Sequence, residues 1–199
     1  MEEKFWSGNR IRIILILALF NLIFLGTEYV FVDVAAVQAD AERTVLFQNY
    51  VLGSSVAGFL LFPLADRLIP ERFIRAECIV FFLICMGSFL MVLRSQNHQA
   101  MLTAGCILFV MLGLLGSRVY YVTATALGNA YGFGRTAGMG YALGIMLQFV
   151  NNMLIRHNDI QAAVLLAAIM ISVFLTIKIQ LRVDGNICTD GGRPVNGNL

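Results

Sequence analysis

Six apolar runs, each near the length a helix needs to cross a bilayer and each closed by a short polar stretch, leave this chain few folds to choose from. A hydrocarbon core of about 30 Å takes about 20 helical residues. On that measure the spans are 13–36, 45–64, 74–93, 101–127, 136–155 and 160–179. Hydrophobic residues make up 59% of the chain and charged residues 13%, so a soluble core is a poor explanation. The sequence predicts an all-α integral membrane protein with six transmembrane helices. Residues 1–12 precede that domain, which covers 13–180. The tail 181–199 is rich in Gly, Asn and Asp, lacks an apolar period and is expected to be disordered.

The first apolar block follows Lys4, Arg10 and Arg12, as a signal peptide would, but it runs to about Val37 without a small-residue cleavage pattern, so it reads as a membrane span. A net charge of +2 gives no reason to expect nucleic acid as a partner. Cys78, Cys85, Cys106 and Cys188 form no CxxC or Cys/His spacing, so no disulfide framework, metal site or cofactor is expected. GNAYGFG lacks the Lys-Ser/Thr of a phosphate loop, and no nucleophile and base pair appears, so neither nucleotide binding nor an enzyme is expected.

The basic residues set the orientation. With a cytoplasmic N-terminus, Lys4, Arg10, Arg12, Arg67, Arg72, Arg75, Arg135, Lys178, Arg182 and Arg193 fall inside and only Arg43, Arg94 and Arg156 outside. Ten against three is a strong positive-inside bias, which places the protein in the cell membrane with both termini cytoplasmic.

The stretch between spans two and three reads GFLLFPLADRLIPER. Here the chain resembles the major facilitator superfamily, whose cytoplasmic loop at this point follows G-x-L-A-D-R-x-G-R-R. Leu64, Ala65, Asp66 and Arg67 match in order. Phe62, Ile69, Pro70 and Glu71 depart from the pattern. The resemblance covers nearly the whole chain but only the first half of the usual twelve-span protein. It implies two inverted three-span repeats, with spans one, two, four and five on the transport path and spans three and six toward lipid. The polar residues agree with that division, since IVFFLICMGSFLMVL and AAVLLAAIMISVFLTI in spans three and six carry almost none.

Span one holds Asn21 and Glu28 on one helix face, with Thr27 beside them. A carboxylate in the bilayer must face protein or water, or be protonated. Glu28 is therefore either a site for a proton or a substrate cation, or a satisfied structural carboxyl. Asp33 reads as interfacial. Arg118, Tyr121 and Thr125 share a face of span four. At about 1.5 Å per residue, Glu28 lies roughly 22 Å from the cytoplasmic end of its span and Arg118 roughly 14 Å from that of its own, which disfavours a direct pair. Arg118 is left to bind an anionic group or to snorkel to the interface.

On span five, Ala137, Gly140, Tyr141, Gly144, Gln148, Asn151 and Asn152 fall on one face. Gly140 and Gly144 fit close helix packing, as do Gly53 and Gly58 with Ser54 and Ala57 on span two. Gln148 lies near the depth of Glu28, where a hydrogen bond between them would satisfy both or hold a substrate group. His98 and His157 read as solvated loop residues, and Tyr29 and Tyr131 as interfacial anchors.

The function implied by the resemblance is movement of a small solute by alternating access, with the lipid bilayer as surroundings and candidate site residues Glu28, Asn21, Arg118, Tyr121, Gln148 and Asn152. One half lacks the second wall of the path, so a homodimer, a separately encoded second half or an incomplete product is implied. Incompleteness is favoured because the tail turns abruptly hydrophilic. The rival is a membrane sensor domain, since YYVTATALGNAYGFGRTAGMGYALGIMLQF is similar to facilitator-like domains ahead of LuxR-type regulators. The tail is too short for their DNA-binding region.

Single cysteines placed at His157 and in the 181–199 tail of a variant without native cysteines are expected to react with an impermeant maleimide from opposite faces of the membrane. Labelling of both from one face would overturn the six-span count.

Overall fold

The computed structural model describes residues 8–68, 74–127 and 130–190, and every element in it is a helix: α1 (Gly8–Gln38), α2 (Ala41–Leu68), α3 (Ile74–Arg94), α4 (His98–Leu127), α5 (Ala130–Leu154) and α6 (Asn158–Asp190). Five of them, α1, α2, α3, α4 and α6, are long and apolar enough to cross a membrane. The molecule is thus an all-α membrane protein. The fifth helix has the length, 25 residues, but is not among those five. Its glycines and the amides Gln148, Asn151 and Asn152 dilute its hydropathy.

Helix boundaries reach further than the apolar runs. Residues read as polar loops are absorbed because side chains close the helix ends: Asp40 Oδ1 accepts the Arg43 amide at 2.8 Å, and Asn97 Oδ1 accepts the Gln99 amide at 2.9 Å. Connections of only two or three residues remain at 39–40, 95–97 and 155–157. The sixth helix continues to Asp190, where disorder was expected from Leu181, since extending a formed helix adds a hydrogen bond for each residue fixed. Residues 191–199 lie outside the described residues. The predicted Gly-rich turn is likewise shorter, because α5 starts at Ala130 and takes Gly132 and Gly134 into the helix.

The helices pair in a pattern that is unchanged when α1, α2 and α3 are exchanged for α4, α5 and α6. The pair α1 and α5 corresponds to α4 and α2, and the pair α1 and α6 to α4 and α3. Contacts along each pair give the directions. Gly140, Gly144 and Gln148 meet α1 at Leu17, Asn21 and Gly26 in ascending order, so α1 and α5 run parallel. Val51, Gly58 and Phe59 meet α4 at Gly105, Gly113 and Gly116 in the same way, so α2 and α4 also run parallel. Between α1 and α4 the order reverses: Phe20 lies against Gly116 and Phe31 against Gly105.

Both parallel pairs are held by glycine. A Cβ on Gly58 would collide with the Val110 carbonyl, and one on Gly113 with the Ser55 carbonyl, so the two backbones touch at these positions. On α5, a Cβ at Gly140 would come 2.5 Å from Leu17 Cβ and one at Gly144 2.5 Å from Asn21 Cβ. Such approach is what small residues supply in a bilayer, where lipid gives no hydrophobic drive between helices. Gly53 differs. Nothing lies within 4 Å of a Cβ built there, so among the described residues it is not a packing glycine, and its face is exposed.

The centre of the bundle is α1: 67% of its most apolar window is buried, against 22% for α2 and for α3. An aromatic column fastens it to α4. Phe24 lies edge-on to Phe109 with ring centroids at 5.6 Å, Phe31 meets the same ring at 6.4 Å, and Phe20 meets Tyr120 at 6.0 Å. At the end with the short connections, polar ties join the helices. Gln38 Nε2 donates to the Ser95 carbonyl at 2.9 Å, Arg94 pairs with Asp159 at 3.3 Å, and Asn158 Nδ2 donates to Asp33 Oδ2 at 2.7 Å.

Gly113→Ala is expected to destabilise by about 1–3 kcal/mol because the α2 backbone has to move away. Gly53→Ala is expected to stay within about 1 kcal/mol of the parent. Thermal unfolding in detergent measures both, and equal losses would mean that the α2–α4 contact does not depend on Gly113.

Candidate functional site

Several polar side chains inside the helices are satisfied by their own backbone. Asn21 Nδ2 donates to the Leu17 carbonyl at 2.8 Å, and the Thr123 and Thr176 hydroxyls donate to the carbonyls four residues back. Besides the ties at the short-connection end, two centres reach across helices toward opposite ends of the bundle, Glu28 with Gln48 and Arg118 with Glu77.

Glu28 is half-buried, ten residues before the end of α1, so about 15 Å below the short-connection end. Its Oε1 accepts a hydrogen bond from Gln48 Nε2 on α2 at 2.7 Å. The predicted partner, Gln148, is engaged elsewhere: its Nε2 donates to Asn152 Oδ1 at 2.7 Å, and its Oε1 points at Gly26. A Glu28–Gln148 bond is thus not formed, because Gln148 meets α1 at Gly26 while Glu28 turns to α2. Gln148 Oε1, Asn151 Nδ2 and Thr27 Oγ1 are buried and have no hydrogen-bond partner among the described residues.

Toward the other end, Arg118 Nη1 pairs with Glu77 Oε1 on α3 at 3.1 Å. The guanidinium side chain is 13% exposed and the carboxylate 31%. A direct Glu28–Arg118 pair was disfavoured on depth, and Arg118 has its carboxylate at its own depth in the first turn of α3. This corrects the reading of the third span as nearly free of polar groups. Tyr121, expected beside Arg118, is exposed and tilts against Phe62 with ring centroids 6.0 Å apart.

The other predicted residues lie apart from these centres. Asn152 is half-buried beside Gln148, and Asn21 is buried where Gly144 meets α1. Asp33 is exposed near the short-connection end. Arg67 is exposed at the end of α2, and the side chain of Asp66 lies outside the described residues. His98 is exposed, with its ring 6.4 Å from Phe47, and His157 is exposed. Among the described residues no group of three or more His, Cys, Asp or Glu could hold a metal ion.

Gln48 and Glu77 were not singled out from the sequence, though each carried a signal. A glutamine three residues inside an apolar span, and a glutamate followed directly by CIVFF, both need a partner at that depth. No family model, curated protein or solved structure matches this chain.

Removing either member of the Glu77–Arg118 pair is expected to destabilise the protein. Breaking a buried pair costs about 3–5 kcal/mol, and the exposure of Glu77 lowers that to about 1–3 kcal/mol. In a double-mutant cycle of Glu77→Gln and Arg118→Met, the double variant should lose less than the sum of the singles. Strict additivity would show that the two do not interact.

Proposed function

We propose that this chain is a six-helix half of a major-facilitator-type secondary carrier that moves a small solute across the cell membrane by alternating access. The observation that carries this reading is the exchange pattern of the helices, in which two three-helix units of opposite direction pair through equivalent neighbours. Carriers of this kind are built from inverted repeats, with the solute site near the bilayer midplane at the repeat interface. Support comes also from the ADR sequence at 65–67 and from the basic residues, which favour a cytoplasmic N-terminus.

On this reading α5 also crosses the membrane and brings the spans to six. Its low hydropathy is tolerable because Gly140, Gly144 and Gln148 are buried against α1 and not exposed to lipid. The α1 surface carrying Glu28 belongs to the solute path. A second wall is needed, supplied by a second copy or by another six-helix unit. Glu28 is the side chain that couples transport to protons, because it is a half-buried carboxyl group within a membrane-spanning helix, held by a neutral amide.

The test is reconstitution into liposomes loaded with a pH-sensitive dye, followed by addition of solutes from a mixed pool. Solute-driven proton movement is expected with the parent protein. Glu28→Gln should abolish it while leaving the unfolding temperature within a few degrees. Full proton movement with that variant would reduce Glu28 to a structural residue, and none with the parent would overturn the carrier reading.

A further inference from the structure

We infer that Glu28, held by Gln48, is the seat for the cationic group of an amine or quaternary ammonium solute; this deepens the carrier reading and rests on it. Three observations point to a positively charged ligand. First, among the described residues Glu28 makes no ion pair, and its hydrogen bond is to a neutral amide. Second, three basic side chains on α2, α3 and α4 pair with other acids: Arg43 with Asp40, Arg94 with Asp159 and Arg118 with Glu77. Third, the carboxylate is half-buried at about 15 Å below the helix end, where an uncompensated charge is expensive and a cation arriving beside it relieves the expense.

The donor set decides which cation. Hard divalent metal ions take six or more oxygen ligands. Here the two side chains offer two carboxylate oxygens and one amide oxygen, too few to replace a hydration shell. An organic cation needs one counter-charge and an apolar surface for its body. Leu25 and Val32, three residues before and four after Glu28, share its helix face, and both are half-buried. The Gln48 amide holds one carboxylate oxygen in place, and the other is left for an N–H or N-methyl group. Gln48 is thus a positioning residue and Glu28 the binding residue.

The experiment is calorimetric titration of the purified full chain in detergent, with protein-free micelles subtracted. Probes are tetramethylammonium, choline and benzyltrimethylammonium, each beside its neutral carbon isostere, such as 3,3-dimethyl-1-butanol for choline. Saturable binding is expected for at least one cation, growing tighter with apolar size, and at least tenfold weaker for the neutral isostere. Glu28→Gln should weaken it at least tenfold, and Glu28→Asp should retain it within tenfold. Gln48→Lys, which supplies an internal ammonium and keeps the two helices tied, should abolish it even if Glu28→Gln fails to fold. The inference is overturned if the parent binds none of the three cations, or if Glu28→Gln or Gln48→Lys binds them as the parent does. Proteoliposome uptake of a neutral or anionic solute, unchanged in Glu28→Gln, would overturn it too while leaving the carrier reading intact. Cation binding without uptake of any solute would do the reverse.

Discussion

Contact of backbone on backbone at Gly58 and Gly113 is the constraint from which the rest of the bundle follows. Helices inside a bilayer gain nothing from leaving water, so they hold together by how closely they fit. At this crossing the fit is limited by main-chain atoms, and Gly140 and Gly144 allow α5 the same closeness to α1. Those two seams bring α1 and α4 side by side, where Phe20, Phe24 and Phe31 fill the space against Phe109 and Tyr120. Larger residues at the seams would separate the helices that place Glu28 beside Gln48.

Polar groups then sort by what each can reach. The Thr123 and Thr176 hydroxyls and the Asn21 amide close onto carbonyls of their own helix and ask nothing of the packing. Charges cannot be satisfied so locally, so Arg118 takes Glu77 and Glu28 takes Gln48, one centre toward each end of the bundle. The two centres differ in kind. One is an acid with a base, neutral as a unit, and the other is an acid with an amide, which keeps its charge or its proton.

Much of this was readable in the residues, and the unread part has a physical pattern. Apolar length marked each helix, although polar caps such as Asp40 and Asn97 carried the helices into stretches that composition assigned to loops. Small residues on α5 pointed to its seam because 3.6-residue periodicity lines up Gly140 and Gly144. The same logic at Gly53 marks a face with nothing against it among the described residues, since periodicity identifies a face and not what lies opposite. Glu28 stood out as a charge in an apolar run. Its partner did not, because matching depths favoured Gln148, while residue counts and helical projection say nothing of which neighbour a side chain turns to, and Gln48 emerges only once the helices are placed. Glu77 was overlooked for sitting at the edge of its span, where a carboxylate normally meets water.

The polar ties at the short-connection end have a mechanical consequence. Arg94 with Asp159 and Asp33 with Asn158 each run from one three-helix unit to the other, and Gln38 reaches the connection between α3 and α4. That rim is stitched, so the two units cannot splay apart there without breaking several bonds together. The far end carries a tie of the same kind, since Arg118 on α4 and Glu77 on α3 also belong to different units, so parting the units there has to break that pair as well.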